Sequence, residues 1–313
     1  MKAAFLFPGQ GAQTVGMGAD LVREFPVAAE LFGRANAVVG FDLRQVCFEG
    51  PADRLNSTTM SQPAIFVTSA ALLEVLRTDP ATAGLQPDVT AGLSMGEYTA
   101  LYAAGVINFE DGLRLVQKRG EAMQAAAEAA PGSMVSLIGL EPDKVRQLCD
   151  EAAEGELLEP VNFNCPGQIV VSGAVGACER AERLAEKYGA VKAVRLEVAG
   201  AFHTPLMSRA AEALQGALRQ SRISPPGTVK TVVNITAEYY TSAEGIIDGL
   251  TRQLTSPILW QKCMERLLAD GVEQFYEIGP GRVLTGLMKR INRKTRVTNV
   301  SDLGSVKAWL NGE

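Results

Sequence analysis

A serine set between two glycines and a solitary histidine are the residues of this 313-residue chain best suited to covalent chemistry. Gly92-Leu93-Ser94-Met95-Gly96 has the spacing of a nucleophile elbow, where a strand enters and a helix leaves a sharp turn carrying the serine. A serine hydroxyl is protonated at neutral pH and needs an adjacent base before it can attack a carbonyl. Imidazole has the pKa suited to that task, and His203 is the one histidine in the chain. If Ser94 is activated by an imidazole, the base is therefore His203. The main-chain N–H of Met95, beside the serine at a helix start, would point where an oxyanion forms.

Two further features would serve the same chemistry. Arg119 falls on the apolar side of a predicted helix over 110–127, with Val116 and Met123. A buried, unpaired guanidinium is costly, so Arg119 needs an anion. An internal acid, solvent reached by snorkelling, and a substrate carboxylate held in a bidentate fork all remain open. Phe7-Pro8-Gly9-Gln10-Gly11-Ala12-Gln13 follows a first apolar run, and its glycines let the backbone approach a ligand and present N–H groups. It lacks the Gly-Lys-Ser/Thr ending of a phosphate loop. Placed beside an elbow, the Gln10 amide would be a second oxyanion donor.

Positioning these residues requires a scaffold in which strands feed loops at one end. Short β-type runs alternate with helical segments throughout, which predicts an α/β fold with a mostly parallel sheet. The opening run to Phe7 reads as a buried strand, 61–76 as a helix, 89–93 as the strand before the elbow, and 95–104 as the helix after it. His203 sits in a loop after a strand, with Thr204-Pro205 as cap and first residue of a helix to about 219. The middle of the chain differs. Strand 134–140, helix 142–153, strands 158–164 and 168–173 joined through Pro166-Gly167, helix 175–188 and strand 190–198 give the order βαββαβ, a ferredoxin-like arrangement. Pro131-Gly132 and Ala199-Gly200 bracket it. The expected organisation is a large hydrolase-like α/β domain from 1–130 and 200–313 with an inserted subdomain at 131–199, and a ligand cleft between them.

Composition narrows the function classes. A net charge of -5 argues against bulk nucleic-acid binding. The five cysteines are scattered and odd in number, and with one histidine they favour neither a disulfide framework nor a zinc site. No metal is expected, and a reduced, cytoplasmic compartment is the simplest reading. The first apolar run is too short for a signal peptide, and no later run approaches the roughly 18 apolar residues of a membrane span.

Seven segments, in order, resemble the malonyl-CoA:acyl carrier protein transacylase family of bacterial and plastid fatty-acid synthesis, related to polyketide acyltransferase domains. They are FPGQGAQ at 7–13, QPA at 62–64, GLSMGEYTAL at 92–101, QKRGEAM at 117–123, NFNCPGQIVVSG at 162–173, GAFHTPLM at 200–207 and EIGPGRVL at 277–284. The resemblance implies the same hydrolase-like core with a ferredoxin-like insert. It implies Ser94 as nucleophile, His203 as base, Arg119 holding the malonyl carboxylate, and the amides of Gln10 and Met95 as the oxyanion hole. The third member of the family's site resembles a backbone carbonyl, and the matching stretch Gln253-Leu254-Thr255-Ser256-Pro257 makes Gln253 the residue expected to orient the imidazole.

Malonyl-CoA and acyl carrier protein follow as partners, with ping-pong transfer through a malonyl-serine. No cofactor is implied, since CoA and phosphopantetheine are carried by the substrates. Ala201-Phe202-His203 resembles the -AFH- of malonyl-selective relatives. Leu93 departs from the pattern, because many members carry histidine before the nucleophile; the catalytic pair is untouched. Carrier proteins are acidic, so a basic patch is expected on this acidic chain, at Lys289, Arg290, Arg293, Lys294 and Arg296 or at Lys187 and Lys192, unless these are simply solvated surface. Two rival readings share the elbow or the partner: a serine thioesterase or esterase, and a carrier-binding scaffold without catalysis.

Overall fold

In the computed structural model, which describes residues 1–82 and 84–311, nine strands alternate with helices among the described residues. They are β1 (Lys2–Phe7), β2 (Val89–Gly92), β3 (Gly132–Ile138), β4 (Leu158–Cys165), β5 (Gln168–Ala174), β6 (Lys192–Arg195), β7 (Lys230–Thr231), β8 (Val272–Ile278) and β9 (Val297–Val300). The apolar run that opens the chain is the middle strand of a five-stranded sheet, ordered β7-β2-β1-β8-β9. Every pairing in that sheet is parallel. From Ala3 to Phe7 every residue of β1 is buried, as a parallel strand covered by helices on both faces requires.

The chain steps from β1 to β2 on one side and later returns to β8 on the other. Such a reversal opens a crevice at the carboxyl ends of the strands, and both the Pro8–Gln13 loop and the elbow emerge there. The helix Thr58–Thr78 packs behind this crevice against the helix Phe109–Ala129. It begins three residues earlier than the sequence pattern predicts and carries Pro63 in its interior. Its length and apolarity would allow it to cross a membrane, but most of it is buried inside the protein. The demand for apolar residues comes from this core.

Residues 132–195 form a second sheet, antiparallel and ordered β4-β5-β3-β6. With helices Pro142–Ala153 and Val175–Leu184 between its strands it has the ferredoxin-like order, around a core that includes Val135, Leu137, Leu148 and Val171. Two expected elements are shorter than the pattern suggested. The helix after β5 stops at Leu184, where a turn closes with Ala190 N–H donating to the Ala185 carbonyl (2.9 Å) and Gly189 in the left-handed region. β6 ends at Arg195, because Leu196 to Val198 leave the sheet and line the cleft instead. The two sheets are tied together where the Ile258 N–H donates to Val161 (2.7 Å) and the Phe163 N–H donates to Ile258 (2.9 Å).

Candidate active site

The elbow is shaped by contacts that only hydrogen can satisfy. A Cβ on Gly92 would lie 1.9 Å from the Gly96 carbonyl oxygen, and one on Gly96 would lie 2.3 Å from that of Phe7. Both obstacles are backbone, so neither position tolerates a side chain without moving the turn. The turn puts Ser94 in the left-handed region at φ 53° and starts the helix Gly96–Ala103 directly after it. His203 is likewise left-handed, at φ 63°. Positive φ in non-glycine residues carries strain, and among the described residues it falls on Glu154 and Ala237 as well as on the two residues expected to do the chemistry.

Those two residues meet. Ser94 Oγ lies 3.0 Å from His203 Nε2, and His203 Nδ1 lies 2.8 Å from the Gln253 main-chain oxygen. A carbonyl only accepts, so Nδ1 carries the proton and Nε2 is the free base facing the serine. Burial, reinforced by the positive charge of Arg119, lowers the His203 pKa to about 3, with the Gln253 carbonyl pulling the other way. The imidazole is therefore neutral and able to accept a proton across the physiological range.

Arg119 is the third member of this constellation. Its side chain comes off the helix Phe109–Ala129 and is 1% exposed, which excludes snorkelling. No carboxylate forms an ion pair with it among the described residues. Its three hydrogen bonds go to neutral oxygens: Gln62 Oε1 from Nη1 (2.8 Å), and Ser94 Oγ (2.9 Å) and Gln253 Oε1 (3.0 Å) from Nη2. Nε is buried without a partner. Burial pulls the guanidinium pKa below its usual value, while Tyr98 and Glu97 hold it up. A guanidinium held by neutral oxygens and touching Ser94 has the chemistry to take up an anion.

A cavity of about 580 Å³ runs between the two sheets past these groups. Its wall includes Gln10, Leu93 and Ser94 from the large sheet's loops, Arg119 from the helix Phe109–Ala129, Phe202 and His203 from the segment after β6, and Met134, Asn162 and Leu196 from the small sheet and its edge. Gln10 thus reaches the cavity. Met95 is buried beside Ser94 and does not line it. Neither the Gln10 nor the Met95 amide donates to a protein acceptor among the described residues. Of the basic candidates, Lys187 is committed to Glu151 (2.6 Å). Lys289 and Arg290, on the last turn of the helix Val283–Ile291, form no ion pair among the described residues; Arg290 donates to Gln168 Oε1 (3.2 Å).

The structure adds residues that the sequence pattern did not assign a role. Asn234 accepts from the Ser94 N–H through Oδ1 (2.7 Å) and donates to the Gly92 carbonyl from Nδ2 (2.8 Å), bracing both sides of the elbow. Its signal in the sequence is only a polar residue ending an apolar run after β7. Gln62 lies in the QPA segment, and Glu97 directly follows the elbow glycine. Glu97 is fully buried, and burial raises its pKa to about 7 against the opposing effect of its hydrogen bonds and Arg119.

Comparison with known proteins places the chain among relatives. The acyl transferase domain family matches residues 4–309. The chain is 45% identical to the malonyl CoA-acyl carrier protein transacylase of Escherichia coli (strain K12), over 92% of each chain. It is 42% identical to that of Bacillus subtilis (strain 168), over 96% of this chain and 94% of the relative. Among solved structures, it superposes at a TM-score of 0.95 and 40% identity, with full coverage of both chains, on a malonyl-transacylase described in complex with its type II PKS acyl-carrier protein. An acyl carrier protein S-malonyltransferase from Vibrio cholerae matches at a TM-score of 0.93 and 41% identity, covering 99% of this chain and all of that one.

The low pKa of His203 has a measurable consequence. Labelling of Ser94 by a serine-directed fluorophosphonate should proceed at a level rate from pH 8 down to about 5.5, because the base stays unprotonated. An imidazole with an ordinary pKa would halve the rate near about 6.5. Labelling kinetics by intact mass across that range decide between the two.

Proposed function

The chain belongs to the acyl transferase domain family, and from that premise we infer that it transfers a malonyl group from malonyl-CoA to the phosphopantetheine thiol of acyl carrier protein, supplying fatty-acid synthesis. The observation that carries the choice of acyl group is Arg119, a buried guanidinium with no ion-paired carboxylate among the described residues, 2.9 Å from the nucleophile oxygen. A simple hydrolase elbow has no use for such a charge. A scaffold has no use for a serine, a neutral imidazole and a buried guanidinium brought to one point.

The geometry supports the following steps. His203 Nε2 takes the Ser94 proton as Oγ attacks the thioester carbonyl of malonyl-CoA. The resulting oxyanion is met by the amides of Gln10 and Met95, each worth on the order of 3 kcal/mol in comparable sites. The intermediate collapses, the C–S bond breaks, and the CoA thiolate leaves with the proton from His203. A malonyl ester remains on Ser94. The carrier's thiol then gives its proton to His203 and attacks this ester. Ser94 leaves as an alkoxide and recovers its proton, and the malonyl thioester departs.

The main-chain carbonyl of Gln253 holds the imidazole in the productive tautomer, with no acidic third member. Thioesters are activated acyl donors, so this dyad with carbonyl support suffices, and we propose that neither metal nor redox cofactor takes part. Gln62 and Gln253 each occupy an N–H of a different Arg119 terminal nitrogen, leaving the N–H now on Ser94 Oγ to turn toward the malonyl carboxylate. That carboxylate offsets the charge that depresses His203, so the base strengthens when the correct acyl group is seated. We place the enzyme in the cytoplasm, where its five buried, unpaired cysteines are stable as thiols.

Incubation with malonyl-CoA alone should add one malonyl group to Ser94, seen by intact mass and peptide mapping. The adduct should vanish when phosphopantetheinylated carrier protein is added. Release of free malonate with no adduct would instead favour hydrolysis. For the carrier's docking surface, Lys289→Glu with Arg290→Glu should raise the carrier-protein KM about tenfold and leave loading from malonyl-CoA unchanged. An unchanged KM would remove this helix end from the interface.

A further inference from the structure

Three donors converge on a buried carboxylate that the transfer steps leave without a task. Glu97 Oε2 accepts from Gln253 Nε2 (2.6 Å) and from the Asn234 main-chain N–H (3.3 Å), and Oε1 accepts from the Tyr240 hydroxyl. Glu97 is 1% exposed and does not line the cavity. Its neighbour Gln253 has two duties. The main-chain oxygen holds His203, while side-chain Oε1 accepts from Arg119 (3.0 Å) and Nε2 also donates to the Ser94 carbonyl (3.1 Å).

A carboxamide can sit either way round, and the two orientations differ by exchange of a donor for an acceptor. With the amide reversed, NH2 would face the Arg119 guanidinium and the oxygen would face Glu97. Both contacts would be repulsive. Glu97 thus joins the Ser94 carbonyl in holding the orientation that presents an acceptor to Arg119, and its 2.6 Å contact is the shorter of the two from Gln253 Nε2. We propose that Glu97 is a positioning residue for acyl selectivity, holding the Gln253 amide so that Arg119 is aimed at the carboxylate of the incoming acyl group. This rests on the assignment of Arg119 as the malonyl clamp.

Substitutions separate orientation from charge. Glu97→Gln keeps an acceptor oxygen for Gln253 and Asn234, and its own NH2 can donate to the Tyr240 oxygen. Glu97→Met keeps the bulk and loses the acceptor. Loading of Ser94 from malonyl and acetyl N-acetylcysteamine thioesters, followed by intact mass, reports the selectivity. The acetyl group has no carboxylate for Arg119 to hold.

The malonyl-to-acetyl ratio of loading rates should fall about tenfold in Glu97→Met, the scale of one charge-assisted hydrogen bond, and stay within about threefold of the parent in Glu97→Gln. An unchanged ratio in Glu97→Met, or malonyl and acetyl rates falling in equal proportion, would overturn the proposal in favour of a merely structural carboxylate. If Glu97→Met does not fold, Gln253→Met carries the test, since it removes the side-chain link and keeps the carbonyl on His203. It should lower the ratio by the same factor, and an unchanged ratio would again overturn the proposal. Arg119→Ala serves as the reference. If its ratio is unchanged, the clamp assignment itself fails; if its ratio collapses while both Met variants keep theirs, only the role of Glu97 fails.

Discussion

A buried positive charge that makes no ion pair among the described residues is the constraint around which this site is built. Arg119 is held by oxygens from Gln62, Ser94 and Gln253, none of them ionised. Its field acts on everything within reach in a medium of low polarity. It is the second cause, after burial, of the depressed pKa of His203, and it helps keep a proton off Glu97. The Glu97 carboxylate reaches Arg119 through the Gln253 amide. Under the proposed function, a substrate that brings a carboxylate would offset the Arg119 charge and so strengthen the base that deprotonates Ser94. On that proposal, selection and activation would be one event at one guanidinium.

The fold serves that event by converging distant segments on a single point. The parallel sheet delivers the Gln10 loop and the elbow side by side at the carboxyl ends of β1 and β2. The small antiparallel sheet supplies the opposite wall of the cavity, and its β4 pins the chain around Ile258. That segment lies just after Gln253 and runs on to Leu259, whose N–H donates to the Asn234 carbonyl (2.8 Å). The junction between the sheets therefore braces both the residue that orients the base and the residue that braces the elbow.

Some of this is legible in the residues alone. The elbow is, because Gly92 and Gly96 are demanded by backbone crossings that no other residue permits. His203 is, because it has no competitor of its type. The ferredoxin-like insert is, because its alternation of strands and helices is local, although β6 reads too long when Leu196 to Val198 turn away to line the cavity. The helical wheel places Arg119 on an apolar face but does not name its partners. They come from Gln62 and Gln253, 57 and 134 residues away, and are paired by packing rather than by pattern. Asn234 is hidden for a similar reason, as β7 pairs with β2 over only two residues. Glu97 is disguised as an ordinary acid in the first turn of a helix, where a solvated carboxylate would also be favoured.

A crystal structure of the malonyl ester on Ser94, trapped with malonyl-CoA in the absence of carrier protein, tests the central claim most directly. The malonyl carboxylate should lie within hydrogen-bond distance of the Arg119 guanidinium, with Gln62 and Gln253 still in place and the contact from Arg119 to Ser94 Oγ given up. A carboxylate directed away into the cavity, with Arg119 still bound to its three neutral oxygens, would contradict it.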